Sequence, residues 1–91
     1  MRQKFLVCYD VRDSKRLQRI YRIMKSWGAH LQYSVFFCSL ARGELQALMR
    51  ELEGIIEAGE DDVRFYPLPS KPEIEVLGCG DRVPEGVEIF I

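Results

Sequence analysis

Gln3-Lys4-Phe5-Leu6-Val7-Cys8-Tyr9 is the stretch on which the fold turns. Its β-branched and aromatic content reads as a strand that Asp10 ends. Alternation places Phe5, Val7 and Tyr9 on one face and Leu6 and Cys8 on the other, so both faces are apolar. The segment His30–Leu40 repeats the situation, with Leu31, Tyr33, Val35 and Phe37 on one side and Phe36, Cys38 and Leu40 on the other. No internal Gly, Pro or Asn marks a turn there. The segment reads equally as one strand or as two short ones broken near Ser34.

Between these segments the period changes. Leu17, Ile20, Tyr21, Met24 and Trp27 form one helical stripe, with Asp13 or Ser14 placed to cap its start and Gly28 placed to stop it. Lys15, Arg19, Arg22 and Lys25 lie off that stripe and Arg16 lies beside it. A second stripe runs through Leu45, Leu48, Met49, Leu52, Ile55 and Ile56, starting between Ala41 and Glu44 and ending before Gly59. Residues 62–66 give a third β region, with Val63 and Phe65 on one face and Arg64 and Tyr66 on the other. Pro67, Pro69 and Pro72 form a stiff linker. Two short strands close the chain, Glu73–Gly78 and Val87–Ile91, with Gly78, Gly80, Pro84 and Gly86 flanking the turn between them.

The order β-α-β(β)-α-β predicts an α+β two-layer sandwich with both helices on one face of an antiparallel sheet. That arrangement leaves the second apolar face of the first two β segments in water, a patch of roughly several hundred Å². A second copy stacked on that face resolves the problem, so the pattern predicts a homodimer packed through its sheet faces. Residues 1–91 then form one domain. The tail, residues 73–91, is expected to add its last strand to the edge of the partner's sheet.

Composition narrows the function. Ninety-one residues with 47% hydrophobic and 30% charged side chains exclude disorder and a second domain. The longest apolar runs fall far short of a membrane span, and Met1-Arg2-Gln3-Lys4 leads straight into a strand without a leader pattern, so a cytoplasmic, non-membrane protein is expected. Cysteines 8, 38 and 79 lack metal or disulfide spacing. The net charge of −1 conceals a division: residues 1–42 carry nine Lys/Arg against two acids, residues 43–91 four against twelve. The basic half suits a polyanion, although two solvated helix faces of opposite sign explain it equally.

There is one histidine, no Ser/His/Asp arrangement can be read, and no Gly-rich phosphate loop precedes a helix. His30 reads as a half-exposed structural residue, or as a phosphate contact or proton donor. Asp10 closes a doubly apolar strand beside basic residues 12–19. It is either a turn or cap aspartate or a Mg²⁺ ligand, since magnesium is held by one or two carboxylates plus waters and phosphates. In a two-fold dimer, Asp10 and its symmetry mate are able to share one ion.

Tyr9-Asp10-Val11 after an apolar strand, Asp13 and a basic helix, Gln32-Tyr33-Ser34-Val35-Phe36, and Asp61-Asp62 before Val63-Arg64-Phe65-Tyr66 together resemble the CRISPR-associated protein 2 family from residue 3 to about 70. The resemblance implies a ferredoxin-like fold and a homodimer with exchanged C-terminal strands. It implies a part in spacer acquisition, bridging dimers of the integrase CRISPR-associated protein 1 on DNA. It also implies metal-dependent endonuclease activity on single-stranded RNA or double-stranded DNA. Carried onto this chain, Asp10 is the catalytic carboxylate and Mg²⁺ ligand, Tyr9 lines its cleft, Arg16 and Arg19 face phosphates, and Ser34 and Phe36 sit in the cleft beneath the dimer axis. His30 replaces the Arg of many relatives, and Phe37-Cys38 replaces their acidic or glycine residue. Competing expectations are a toxin-type endoribonuclease related to virulence-associated protein D, and a ferredoxin-like regulatory dimer with a small ligand.

Overall fold

The computed structural model describes residues 2–78 and 88–90. The apolar alternation of the first segment becomes β1 (Arg2–Asp10), with Phe5, Val7 and Tyr9 buried and Leu6 and Cys8 half-buried. Asp13 then caps α1 (Ser14–Trp27), accepting a hydrogen bond from the Arg16 amide at 2.9 Å. The second apolar segment divides into β2 (Ala29–Gln32) and β3 (Val35–Ala41). Next come α2 (Arg42–Glu53) and β4 (Asp62–Pro67). At the α2 entrance, Glu44 Oε1 accepts from the Ala41 amide at 2.8 Å.

The four main strands lie in the order β2-β3-β1-β4, antiparallel at every pairing. β1 is central, with Val7 opposite Phe36 on one side and Phe65 on the other. Both helices pack on the face that carries Phe5, Val7, Tyr9, Phe36, Cys38 and Leu40, contributing Ile20, Met24, Leu48 and Leu52. At ~25 cal/mol per Å² of apolar area, each of these fully buried side chains contributes roughly 1.5–3 kcal/mol. The opposite face presents Leu6, Cys8, Val35, Phe37, Arg64 and Tyr66. Phe37 is buried there but stands outside the helix-side core cluster.

Of the two alternatives for residues 30–40 the structure has the second: two strands, because the chain reverses at Tyr33-Ser34 with Tyr33 at φ 40°. A register shift between His30 and Gln32 breaks the alternation, so Tyr33 leaves the Val35–Phe37 face and lies 89% exposed at the turn. Gly28 ends α1 as expected, with an extended backbone (φ −158°, ψ −172°). Its small size also serves close packing: a Cβ there would meet Cys38 Sγ and the Phe37 carbonyl oxygen, each at 2.5 Å. Finally, α2 stops at Glu53, and Ile55 and Ile56 reach the core from the turn that follows, their amides bonded to the Leu52 carbonyl at 3.0 Å.

Beyond the proline linker, β5 (Glu73–Glu75) pairs with β6 (Glu88–Phe90) of its own chain, in parallel. The turn expected at Gly80, Pro84 and Gly86 lies outside the described residues, as do Val87 and Ile91. No helix among the described residues is long and apolar enough to cross a membrane.

Candidate functional site

Strand alternation separates Tyr9 from Asp10. Tyr9 turns under the helices, and Asp10, one residue on, stands exposed at the end of β1 with the parity of Leu6 and Cys8. Across the ladder Asp10 is paired in register with Asp62 of β4. Facing like charges on adjacent strands are unfavourable. Arg64 offers partial compensation, its Nε lying 3.5 Å from Asp62 Oδ1. The neighbouring Tyr66 and the Asp62 charge raise the Arg64 pKa.

Behind this pair lies a fixed frame. The Asp61 side chain is fully buried, yet both its oxygens are satisfied. Oδ2 accepts from Arg16 Nε at 2.8 Å and from the Glu57 amide at 2.9 Å; Oδ1 accepts from Arg16 Nη2 at 3.2 Å and from the Arg12 amide at 2.9 Å. The Arg16 hydrogen bond, aided by the two amides and opposed by burial, holds the Asp61 carboxyl far below the ordinary carboxylate range. This one carboxylate joins the β1–α1 connection to the α2–β4 connection. Asp10 precedes the first of these and Asp62 begins the strand after the second.

The site residues expected from the sequence divide into three groups. Asp10 is exposed, and its side chain makes no hydrogen bond among the described residues, so its oxygens are open to solvent. Arg19 is exposed on α1 beside Arg22, at a shallow depression floored by Ile23 and Ile55. Arg16 does not face solvent phosphates, because its guanidinium is taken up by Asp61 and, at 3.3 Å, Glu60.

Tyr9 and Phe36 do not line a cleft. They are 6% and 0% exposed and stack at 6.2 Å within the core, where Phe36 also meets the rings of Tyr21 at 5.8 Å and His30 at 4.9 Å. The period of two across the sheet forces this, since their neighbours Asp10 and Phe37 take the other side. Burial pushes the Tyr9 phenol up, and its hydrogen bond to Ser34 acts against the shift. His30 is half-buried between Tyr21 and Phe36, and its Nε2 donates to the Tyr33 carbonyl at 2.7 Å. Ser34 serves the turn, its carbonyl accepting from the Tyr9 amide at 3.1 Å.

Asp62 opposite Asp10, the Asp61 frame and the exposed Tyr33 went unassigned from sequence. The acidic pair was visible, but its meaning depends on β1 lying beside β4, which no local pattern reveals. Among the described residues no three His, Cys, Asp or Glu side chains converge on a metal position. Two carboxylates on adjacent strands nevertheless fit magnesium, which takes oxygen ligands and retains several waters. One chain offers no more than these two carboxylates at that position among the described residues.

Residues 3–74 match the family model described as CRISPR associated protein Cas2. A CRISPR-associated endoribonuclease Cas2 of Thermodesulfovibrio yellowstonii is 52% identical over 90 residues, 99% of each chain. The crystal structure of the hypothetical protein TT1823 from Thermus thermophilus superposes with a TM-score of 0.80 at 34% identity, covering 88% of this chain and 95% of that one. A chain of a partial Cas6-RT-Cas1–Cas2 complex superposes with a TM-score of 0.67 at 28% identity, covering 74% of each.

Proposed function

Because the chain belongs to the CRISPR-associated protein Cas2 family, we propose that it is a spacer-acquisition subunit. In this reading it is a homodimer that bridges integrase subunits of CRISPR-associated protein 1 on DNA, with a Mg²⁺-dependent endonuclease activity as its latent chemistry. The observation that carries the nuclease part is the free Asp10 carboxylate, set opposite Asp62 at the rim of the face the helices leave uncovered. The strand order and antiparallel pairing support the ferredoxin-like description.

In the dimer the uncovered faces stack, Leu6, Cys8, Val35 and Phe37 lose their remaining contact with water, and each Asp10 approaches its mate. Asp10, with Asp62 beside it, would hold the ion. Bound there, Mg²⁺ supplies charge neutralisation at the phosphodiester and lowers the pKa of a water. Asp61 holds both connections in place without touching substrate, and Arg64 limits the repulsion between the carboxylates. Arg19 carries a free positive charge for backbone phosphates. The substrate is single-stranded RNA or duplex DNA, and the compartment is the cytoplasm. The tail, residues 73–91, is assigned to the partner's sheet edge.

The name of the Thermodesulfovibrio relative supports an endoribonuclease, and the Cas1–Cas2 assembly supports the integrase partner. The test is cleavage of RNA and duplex DNA by wild type and Asp10→Asn in parallel, with and without Mg²⁺. Loss of metal-dependent cleavage in a variant that remains dimeric is expected. Cleavage that persists in the variant removes Asp10 from the chemistry. Spacer acquisition that survives Asp10→Asn marks bridging as the physiological role.

A further inference from the structure

The β2–β3 turn carries two costs at one residue. Tyr33 adopts φ 40°, a conformation unfavourable for a bulky side chain, and it leaves its ring 89% exposed. Gly or Asn would make the same turn without either cost. The turn is firmly based, because His30 Nε2 holds the Tyr33 carbonyl at 2.7 Å and the Ser34 carbonyl takes the Tyr9 amide at 3.1 Å. Register fixes its neighbour. Cys8 lies opposite Val35, so the chain reaches Asp10 at the same end of the sheet at which β3 begins with Tyr33-Ser34 before it.

We propose that Tyr33 is a stacking platform for an unpaired nucleobase beside the phosphodiester held at Asp10. The inference rests on the nuclease reading of Asp10 and extends it to substrate choice. A tyrosine presents a flat π-face at little cost in side-chain entropy, and base–aromatic stacking tolerates any sequence. Duplex bases already have both faces occupied, so the platform favours single strands over duplex.

The test measures binding by the full-length protein in EDTA, which prevents cleavage, to a fluorescent single-stranded RNA of about ten nucleotides and to the same sequence as a duplex. Tyr33→Ala should weaken single-strand binding about 5- to 150-fold, the range for loss of one stacked base. Tyr33→Phe and Tyr33→Trp should bind as wild type does. Tyr33→Gly should bind as weakly as Tyr33→Ala yet melt at a higher temperature than Tyr33→Ala, because glycine accepts the positive φ. Duplex binding should be unmoved in all four.

Wild-type single-strand affinity in Tyr33→Ala, equal weakening for duplex, or failure of Tyr33→Phe to bind would each overturn the proposal. Wild type that binds no single strand overturns the nuclease reading on that substrate and this proposal with it, before any variant is compared. Tyr33-dependent binding without Asp10-dependent cleavage sinks the nuclease reading and the placement beside Asp10, and leaves the stacking role of Tyr33 standing.

Discussion

Replacing Asp10 with Asn should make the protein more stable and, on the proposed function, abolish Mg²⁺-dependent cleavage. The two side chains have nearly equal volume, so the change removes a charge and little else. Facing residues in an antiparallel pair place their Cβ atoms about 5 Å apart, and Asp10 faces Asp62. At roughly 5–6 Å in a water-like dielectric, two unit charges repel by about 0.8 kcal/mol. Salt of about 0.1 M, with a Debye length of about 10 Å, reduces that to about half, and Arg64 at 3.5 Å from Asp62 offsets more.

Asp10→Asn should therefore gain about 0.3–0.8 kcal/mol at low ionic strength, within the range for cross-strand pairs. For a domain of this size that raises Tm by roughly 2–5 °C. Scanning calorimetry at low and high NaCl measures it, and the gain should shrink with salt. Mg²⁺ supplies the second arm. At ten times an assumed dissociation constant, the ion stabilises the native state by about 1.4 kcal/mol, and at matched ionic strength this should appear in wild type and vanish in Asp10→Asn. A variant that melts below wild type at low salt would show that Asp10 makes a stabilising contact, and the argument for a strained, cation-seeking pair would fail.

Gly28→Ala should cost about 1–3 kcal/mol through overpacking, read as a lower urea midpoint. Cys38→Ala should relieve it only in part, because the Phe37 carbonyl oxygen remains 2.5 Å from the new methyl. Asp61→Asn should lower the urea midpoint at neutral pH. The folded Asp61 carboxyl is depressed, so its contribution is present above the unfolded value of about 4 and fades as pH falls toward the lower folded one; the variant's acid limb should be flatter than that of wild type. Leu6→Lys on the uncovered face should yield monomers in sedimentation, and an unchanged dimer would place the interface elsewhere. Arg19→Glu should weaken DNA binding and reduce its salt slope by at least about one.

The sequence made the layers legible because burial on the helix side obeys simple periods: the Phe5-Val7-Tyr9 alternation and the stripes through Ile20 and Leu48 all meet in one core. It concealed whatever depends on two distant segments meeting. Tyr9 and Phe36 were assigned to a cleft by likeness, whereas their own parity argued for the core. Arg16 read as a free cation because its partner Asp61 lies 45 residues away. The break at Tyr33 had no Gly or Asn to announce it, since the residue there tolerates a conformation that residues of its kind rarely adopt.

The alternation that sends Tyr9 inward and Asp10 outward has a consequence for how such a chain changes over generations. Consecutive codons answer to separate demands, one to the interior and one to the rim. If Asp10 carries the proposed hydrolysis, a lineage is free to abandon it by a single replacement at the rim and still inherit an intact building block, so that catalysis and assembly part company without a new architecture.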